Sequence, residues 1–207
     1  MKIKGVLFDM DGVLIDARDW HYMALNNALE IFGITISRKD HEERFNGLST
    51  ATKLQILSDE NGLPKELHKV INQIKQSNTL RFAAQFCYPN LSHLILLARL
   101  KKSGLKIAVV TNSIRETTEI MLNQAKITPY LDLIITNQDI QRPKPDPQGY
   151  LTAAHSLGLL PKECLVIEDG DYGVEAANAA GCQVLRISDP SELDLGKVSQ
   201  IITELVK

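Results

Sequence analysis

The chain has 207 residues, 44% of them hydrophobic and 23% charged, a composition typical of a soluble protein with one sizeable core. Its formal net charge of −2 disfavours nucleic acid as a partner. No apolar run is long enough to span a membrane, which disfavours a membrane partner. The first residues lack the layout of a signal peptide and the three cysteines lack metal-ligand spacing, so we expect a cytoplasmic protein.

The first predicted strand, Ile3–Phe8, ends on two aspartates. Asp9 and Asp11 follow it with one residue between them, and Gly12 bends the chain directly afterwards. Two carboxylates this close repel each other, and the repulsion grows where the dielectric constant is low. The pattern therefore indicates a cation that offsets the repulsion.

A long stretch without strands separates this strand from the next one. Its apolar patterns predict helices over Trp20–Phe32, Thr50–Glu60 and Pro64–Gln76. The stretch is too long for a single crossover between parallel strands. We interpret residues 16–86 as an inserted helical cap domain, and residues 1–15 and 87–207 as the catalytic core domain.

After the insertion, helices and strands alternate along the chain. The further strands predicted from short apolar runs are Lys106–Val110, Leu133–Thr136, Leu165–Ile167 and Gln183–Ile187. The apolar stripes of the predicted helices are, in chain order, Leu91, Leu94, Ile95 and Ala98; Ile120, Met121 and Leu122; Ala176, Ala177 and Ala180; and Val198, Ile201, Ile202 and Leu205. This alternation predicts an α/β fold with a doubly wound, Rossmann-like parallel sheet.

Polar residues follow several of these strands, at the edge where open parallel sheets bind ligands. Asp9, Asp11 and Asp169 supply carboxylates that suit a hard cation such as Mg²⁺. The helix start after Thr111-Asn112-Ser113 and the Lys144 ammonium group suit an anion. A divalent cation beside an anion site predicts phosphate chemistry, in which one carboxylate attacks phosphorus and the other handles the proton of the leaving group.

The order of these motifs resembles that of haloacid dehalogenase (HAD) superfamily phosphohydrolases, in the β-phosphoglucomutase-like subgroup with a helical cap after the first strand. The similarity extends over essentially the whole chain: DMDGVLID, VVTNS, KPDPQGY and IEDGDYGVEAANAAG occur in the family's order. A single pair of aspartates matches many chains by chance, whereas four motifs in order, each behind a predicted strand, are specific.

The resemblance implies a role for each motif residue. Asp9 is similar to the nucleophile that forms an aspartyl-phosphate, and Asp11 to the general acid and base. Mg²⁺ would be bound by the carboxylates of Asp9 and Asp169 and by the backbone carbonyl of Asp11. The transferring phosphoryl group would be held by Thr111, Asn112 and Lys144. Glu168 would act on the metal directly or through water, and Asp171 ranks behind it because it lies farther from the strand end.

The cap leaves two residue roles open. His21 stands where the phosphoglucomutase branch has a histidine close to the acid/base aspartate, but a cap histidine without a partner is an equal interpretation. The loop Gly47-Leu48-Ser49 either faces the substrate or forms an ordinary turn. We expect Arg44 and Lys53 to be solvated charges on the cap surface.

These observations predict a monomeric, Mg²⁺-dependent phosphatase that acts on a small phosphorylated metabolite, such as a sugar phosphate. The alternatives are a phosphosugar mutase, or a binding or regulatory protein that has kept the fold. The mutase branch has an arginine where this chain has Thr50, and a hydroxyl residue at the position of Ala17. A mutase must hold a second phosphate, so the missing guanidinium favours hydrolysis.

Overall fold

The computed structural model describes residues 2–45, 48–198 and 200, and these form a five-stranded parallel sheet with helices on both faces. The strands are β1 (Gly5–Phe8), β2 (Lys106–Val110), β3 (Leu133–Ile135), β4 (Cys164–Glu168) and β5 (Gln183–Arg186), in the spatial order β3-β2-β1-β4-β5. The predicted fold class is confirmed, and the predicted strands agree to within one or two residues at each end.

Strand β1 lies at the centre of the sheet, and all four of its residues are buried. It pairs with β2 and β4, and Gly5 stands opposite both Lys106 and Cys164. Val6 and Phe8 belong to one core cluster, whereas Leu7 belongs to the cluster on the opposite face. The residues that follow β1 therefore emerge in the middle of one sheet edge.

The helices divide between the two faces of the sheet. Their bounds are α1 (Arg18–Glu30), α2 (Arg38–Asp40), α3 (Thr50–Asn61), α4 (His68–Phe86), α5 (Leu91–Lys102), α6 (Arg115–Gln124), α7 (Gln148–Ser156) and α8 (Asp171–Ala180). Apolar side chains of α5 and α6 pack on one face, and those of α7 and α8 pack on the other. The stripes predicted for α6 and α8 lie in these helices, and the last predicted stripe lies outside the described residues except for Val198, which is buried.

The buried face predicted for α5 is wrong. Leu91 is 71% exposed and Ile95 is 46% exposed. The buried residues of this helix are His93, Leu96, Leu97 and Leu100. The sequence LSHLILLARL allows two stripes of similar apolarity, and the structure uses the one with a histidine. The two ring nitrogens of His93 lie 3.2 Å and 2.9 Å from the backbone oxygens of Leu14 and Pro190, so its burial is offset by polar contacts.

Helices α1 to α4 lie between β1 and α5 in the chain and share an apolar cluster of their own. The buried members of this cluster are Leu25, Ala28, Leu29, Ile36, Phe45, Leu54, Leu57, Leu63 and Ile71. Helix α4 extends ten residues past the predicted end at Gln76, to Phe86, and the Thr117 hydroxyl of α6 donates to Gln76 Oε1 at 3.1 Å. Ala17 and Ala83 pack in the cluster on the sheet instead, and the division into cap and core at residues 15/16 and 86/87 stays a prediction. Within the described residues, no helix is both long and apolar enough to cross a bilayer.

Candidate active site

The loops at the carboxyl ends of β1, β2 and β4, together with the loop between β3 and α7, surround one cavity of about 200 Å³. Because the strands are parallel, these ends meet at the same edge of the sheet. Helices α1, α3 and α4 supply the opposite wall. All six residues that the sequence assigns to the site line this cavity: Asp9, Asp11, Thr111, Asn112, Lys144 and Asp169.

Lys144 joins two carboxylates at the base of the cavity. Its Nζ atom lies 2.5 Å from Asp9 Oδ1 and 2.6 Å from Glu168 Oε1, and it also donates to the Val110 carbonyl at 2.8 Å. Burial lowers the pKa of Lys144, but Asp9 and Glu168 more than offset this effect and the net pKa is raised. The hydroxyl of Tyr150 donates to Glu168 Oε1 at 2.6 Å. Lys144 is therefore a permanently charged group placed beside Asp9.

The Asn112 side chain fixes the position of the loop that carries Lys144. Its Oδ1 accepts from the backbone N–H of Lys144 at 3.1 Å, and its Nδ2 donates to the carbonyl of the same residue at 3.4 Å. The Asn112 side chain therefore holds the backbone of Lys144 in place, a role that the motif alone did not indicate.

The Asp11 side chain contacts both the core and the cap. Its Oδ2 accepts from the Ser113 hydroxyl at 2.8 Å, and its Oδ1 lies 3.0 Å from Nε2 of His21. These two atoms are at ion-pair distance but do not form a well-directed hydrogen bond. Burial raises the pKa of Asp11, but His21 and Ser113 more than compensate and the pKa is lowered. Asp11 is therefore an ionised carboxylate whose two oxygens face Ser113 and His21.

His21 has partners on both sides, so the interpretation of an isolated cap histidine is wrong. Its Nδ1 lies 3.4 Å from Nζ of Lys75. Burial lowers the pKa of His21, and the neighbouring Lys75 lowers it further, against the effect of Asp11. An ammonium group can only donate, so Lys75 favours the tautomer with the proton on Nε2, facing Asp11.

Three carboxylates can hold a metal ion in this cavity. Ligand oxygens of Asp9, Glu168 and Asp169 lie within 4.8 Å of one another. Burial and the Glu168 charge raise the pKa of Asp9 and raise that of Asp169 to about 6. When ionised, the three groups carry two negative charges more than Lys144 neutralises, so their chemistry fits a hard divalent cation. The Asp11 side chain is not in this group, and its proposed ligand atom is the backbone carbonyl.

Two glycines make room for these carboxylates. A Cβ on Gly12, which has φ +91°, would lie 2.3 Å from Asp169 Oδ2. A Cβ on Gly173 would lie 1.8 Å from Glu168 Oε1. Asp171, by contrast, is 85% exposed at its side chain and pairs with Arg186, so the structure places it outside the cavity.

The cap wall differs from the sequence-based expectation at one residue. Leu48 and Ser49 line the cavity, while Gly47 lies outside the described residues. Arg44 is exposed and pairs with Glu60, as expected for a solvated charge. The prediction of a solvated Lys53 is wrong, because this side chain lines the cavity and the residue is only 9% exposed.

The sequence profile described as haloacid dehalogenase-like hydrolase matches residues 6–187. The chain belongs to this family. Beta-phosphoglucomutase of Bacillus subtilis is 29% identical over 187 residues, which cover 86% of this chain and 80% of that protein. Hexitol phosphatase A of Escherichia coli is 29% identical over 195 residues, which cover 93% of this chain and 86% of that protein. The solved structure of beta-phosphoglucomutase from Clostridium difficile has a similar fold, with a TM-score of 0.85 at 23% identity and coverage of 99% of both chains.

For this haloacid dehalogenase-like hydrolase, the predicted family, capped fold and hydrolase-type enzyme are confirmed. Sequence reasoning missed three residues of the site. Lys53 and Lys75 lie on the cap wall of the cavity, and Tyr150 lies behind it and donates to Glu168. The positions of Lys53 and Lys75 in the sequence gave no signal, because lysines on amphipathic helices are usually exposed, as Lys69 of α4 is. Tyr150 belongs to the quoted motif KPDPQGY, so its position behind Lys144 was a usable clue.

Proposed function

We propose that this enzyme is a Mg²⁺-dependent phosphatase that hydrolyses a small phosphomonoester through an aspartyl-phosphate on Asp9. The observation that carries the proposal is the placement of two carboxylates with separate surroundings at one cavity. Asp9 lies beside Lys144 and the other candidate metal ligands, whereas Asp11 lies beside His21 and Ser113. This difference matches a nucleophile and a general acid with distinct tasks.

In the first step, an Asp9 carboxylate oxygen forms a bond to phosphorus and the bond from phosphorus to the ester oxygen breaks. Asp11, which is ionised in the free enzyme, takes up a proton from water before this step and gives it to that leaving oxygen. In the second step, Asp11 takes a proton from water as the water oxygen attacks phosphorus, and the bond between Asp9 and phosphorus breaks. Inorganic phosphate leaves and both carboxylates return to their starting states.

The remaining residues bind and orient the phosphoryl group. Lys144 lies close enough to Asp9 to contact the same phosphoryl oxygens, and Thr111 and the first turn of α6 offer donors at the end of β2. Asp9, Asp169 and the backbone carbonyl of Asp11 would hold Mg²⁺, with Glu168 beside them. The bound ion would offset the repulsion between the carboxylates and the phosphate.

The substrate that we propose is a small phosphorylated metabolite, because the cavity of about 200 Å³ lies between cap and core. We further propose that the enzyme works as a monomer in the cytoplasm, without a nucleic acid or membrane partner. The modest net charge of −2 supports the absence of a polyanion partner.

A phosphosugar mutase is the second candidate, and Lys53 is the observation that favours it. Thr50 replaces the arginine expected to hold a second phosphate, but the Lys53 ammonium group lines the same cavity. A non-catalytic binding protein is less well supported, because every carboxylate and cation that the chemistry requires is present around the cavity.

The test is release of phosphate from p-nitrophenyl phosphate by the purified protein. Activity should require Mg²⁺ and disappear with EDTA, and Asp9→Asn should abolish turnover, because an amide is not a nucleophile for phosphorus. Asp169→Asn should raise the Mg²⁺ concentration needed for half-maximal rate, whereas the matched variant Asp171→Asn should not. Full activity in EDTA, or a tenth or more of the wild-type rate in Asp9→Asn, would overturn the proposal.

A further inference from the structure

Lys53 is a buried basic residue on the cap wall of the cavity. It lies in the first turn of α3 and is 9% exposed. Within the described part of the chain, its side chain forms no hydrogen bond and no ion pair. The charges that face it are Lys75 on α4, His21 on α1, His41 on the turn after α2, and the more distant carboxylate of Asp11. Three of these four neighbours are basic.

In these surroundings Lys53 does not stabilise the folded protein, so stability does not explain its presence. Taking an ammonium group out of water without a counter-ion is costly, and an apolar side chain of similar volume would be more stable there. Burial, reinforced by Lys75, lowers the pKa of Lys53 to about 7. Burial likewise lowers the pKa of Lys75 to about 8. Both groups would regain their charged form beside an anion.

The same wall contains the N-terminus of a 12-residue helix. Ser49 caps α3 by accepting from the backbone N–H of Thr52, and Ser49, Thr50 and Ala51 all line the cavity. The first N–H groups of a helix have no acceptor within the helix, and the helix dipole places partial positive charge there. The Lys53 amine lies in the same turn, on the cavity side, and adds a full positive charge when it is protonated. The cap wall is therefore electropositive, opposite the carboxylates of the core.

We propose that the first turn of α3, with Lys53 and Lys75, binds a second anionic group of the substrate. The enzyme would then select small phosphomonoesters that carry a carboxylate or a second phosphate away from the reacting phosphoryl group. This inference rests on the proposed phosphatase function, since it assigns the substrate class of the same cavity. It also supplies the second anion contact that Thr50 cannot provide.

Matched pairs of probe substrates test this assignment. Glycerol 3-phosphate and 3-phosphoglycerate differ only by an alcohol in place of a carboxylate, and fructose 6-phosphate and fructose 1,6-bisphosphate differ by a second phosphate. We expect the wild type to prefer the more anionic member of at least one pair by about tenfold or more in kcat/KM. The pair that shows the preference identifies the second group as carboxylate or phosphate.

Three variants localise the preference. Lys53→Met should reduce it about tenfold, Lys53→Arg should restore most of it, and Lys69→Met, an exposed lysine on α4, should leave it unchanged. Calorimetric titration of the same probes into the Asp9→Asn variant, alone and combined with Lys53→Met, measures binding without turnover.

The outcomes separate this inference from the proposed function. Absence of Mg²⁺-dependent phosphate release from p-nitrophenyl phosphate contradicts the phosphatase, while the titrations still decide whether Lys53 binds an anion. If the wild type turns over p-nitrophenyl phosphate but shows no preference within either pair, the second anion site is wrong. It is equally wrong if Lys53→Met retains the wild-type preference and binding.

Discussion

Replacing Lys144 by methionine removes a buried cation while keeping most of the side-chain volume. The ammonium group lies 2.5 Å from Asp9 Oδ1, 2.6 Å from Glu168 Oε1 and 2.8 Å from the Val110 carbonyl, and its side chain is 6% exposed. In the variant, two buried carboxylates face each other without a cation between them. The variant therefore loses stability for two reasons: the attraction to the ammonium group is gone, and the two carboxylates repel each other.

The expected destabilisation is large. Removing one partner of a buried ion pair typically costs about 3–5 kcal/mol. In a chain of this size each kcal/mol lowers Tm by roughly 2–4 °C, so we expect a decrease in Tm of roughly 6–20 °C. Arg142→Ala is the matched control on the same loop: its side chain is 70% exposed and pairs with Asp146 at 2.6 Å. An exposed pair of this kind contributes about 1 kcal/mol or less.

The assay is thermal and urea unfolding of both variants in EDTA, so that no divalent cation replaces the lost charge. Phosphatase activity, measured with Mg²⁺, should fall much more in Lys144→Met than in Arg142→Ala. Equal decreases in Tm for the two variants would refute the assignment of Lys144 as a buried bridge. Equal decreases in activity would show that the loop acts only through general positive charge.

Three further predictions address the cap and the metal site. His21→Gln should lower kcat at least tenfold, which corresponds to a barrier change of about 1.4 kcal/mol, because no imidazole then faces the acid/base aspartate. A kcat for phosphate release within threefold of the wild-type value would contradict this. Gly12→Ala should lower the free energy of unfolding by at least about 1 kcal/mol more than Gly62→Ala does, because only the Cβ added at position 12 meets Asp169. Urea unfolding of the two variants measures this difference. Lys53→Met should raise the free energy of unfolding near pH 7. Because the pKa of Lys53 is about 7 in the folded protein and near 10.5 in the unfolded chain, the unfolded chain binds more protons between these values. The stability of the wild type relative to Lys53→Met should therefore rise with pH across that window, and a constant difference would argue against a buried Lys53.

Much of the core could be predicted because its signals are local. Each strand is a short apolar run, and the residue types that follow it report the chemistry at the edge of the sheet. Asp9 and Lys144 are 135 residues apart in sequence, yet both sit directly after or near strand ends and so meet in the cavity. The wrong face of α5 shows the limit of this reasoning, because two stripes fitted the pattern and packing selected the one that buries His93.

The cap could not be predicted to the same depth because its contacts depend on how helices pack. Lys53 has the same sequence environment as a surface lysine, and only the positions of α1 and α4 enclose it. His21 acquires its role from contacts with Asp11 and Lys75, which lie on different segments. Asn112 was assigned to phosphate from its motif, whereas its side chain is engaged with the backbone of Lys144.

Water is the phosphoryl acceptor in the proposed reaction, and ³¹P NMR distinguishes it from a sugar acceptor. The enzyme is incubated with Mg²⁺, β-glucose 1-phosphate and a trace of glucose 1,6-bisphosphate, and a parallel sample contains p-nitrophenyl phosphate. We predict that the inorganic phosphate signal grows as the ester signals decline. Rapid conversion to glucose 6-phosphate without inorganic phosphate, or no phosphate release from either sample, would show that the enzyme does not transfer the phosphoryl group to water.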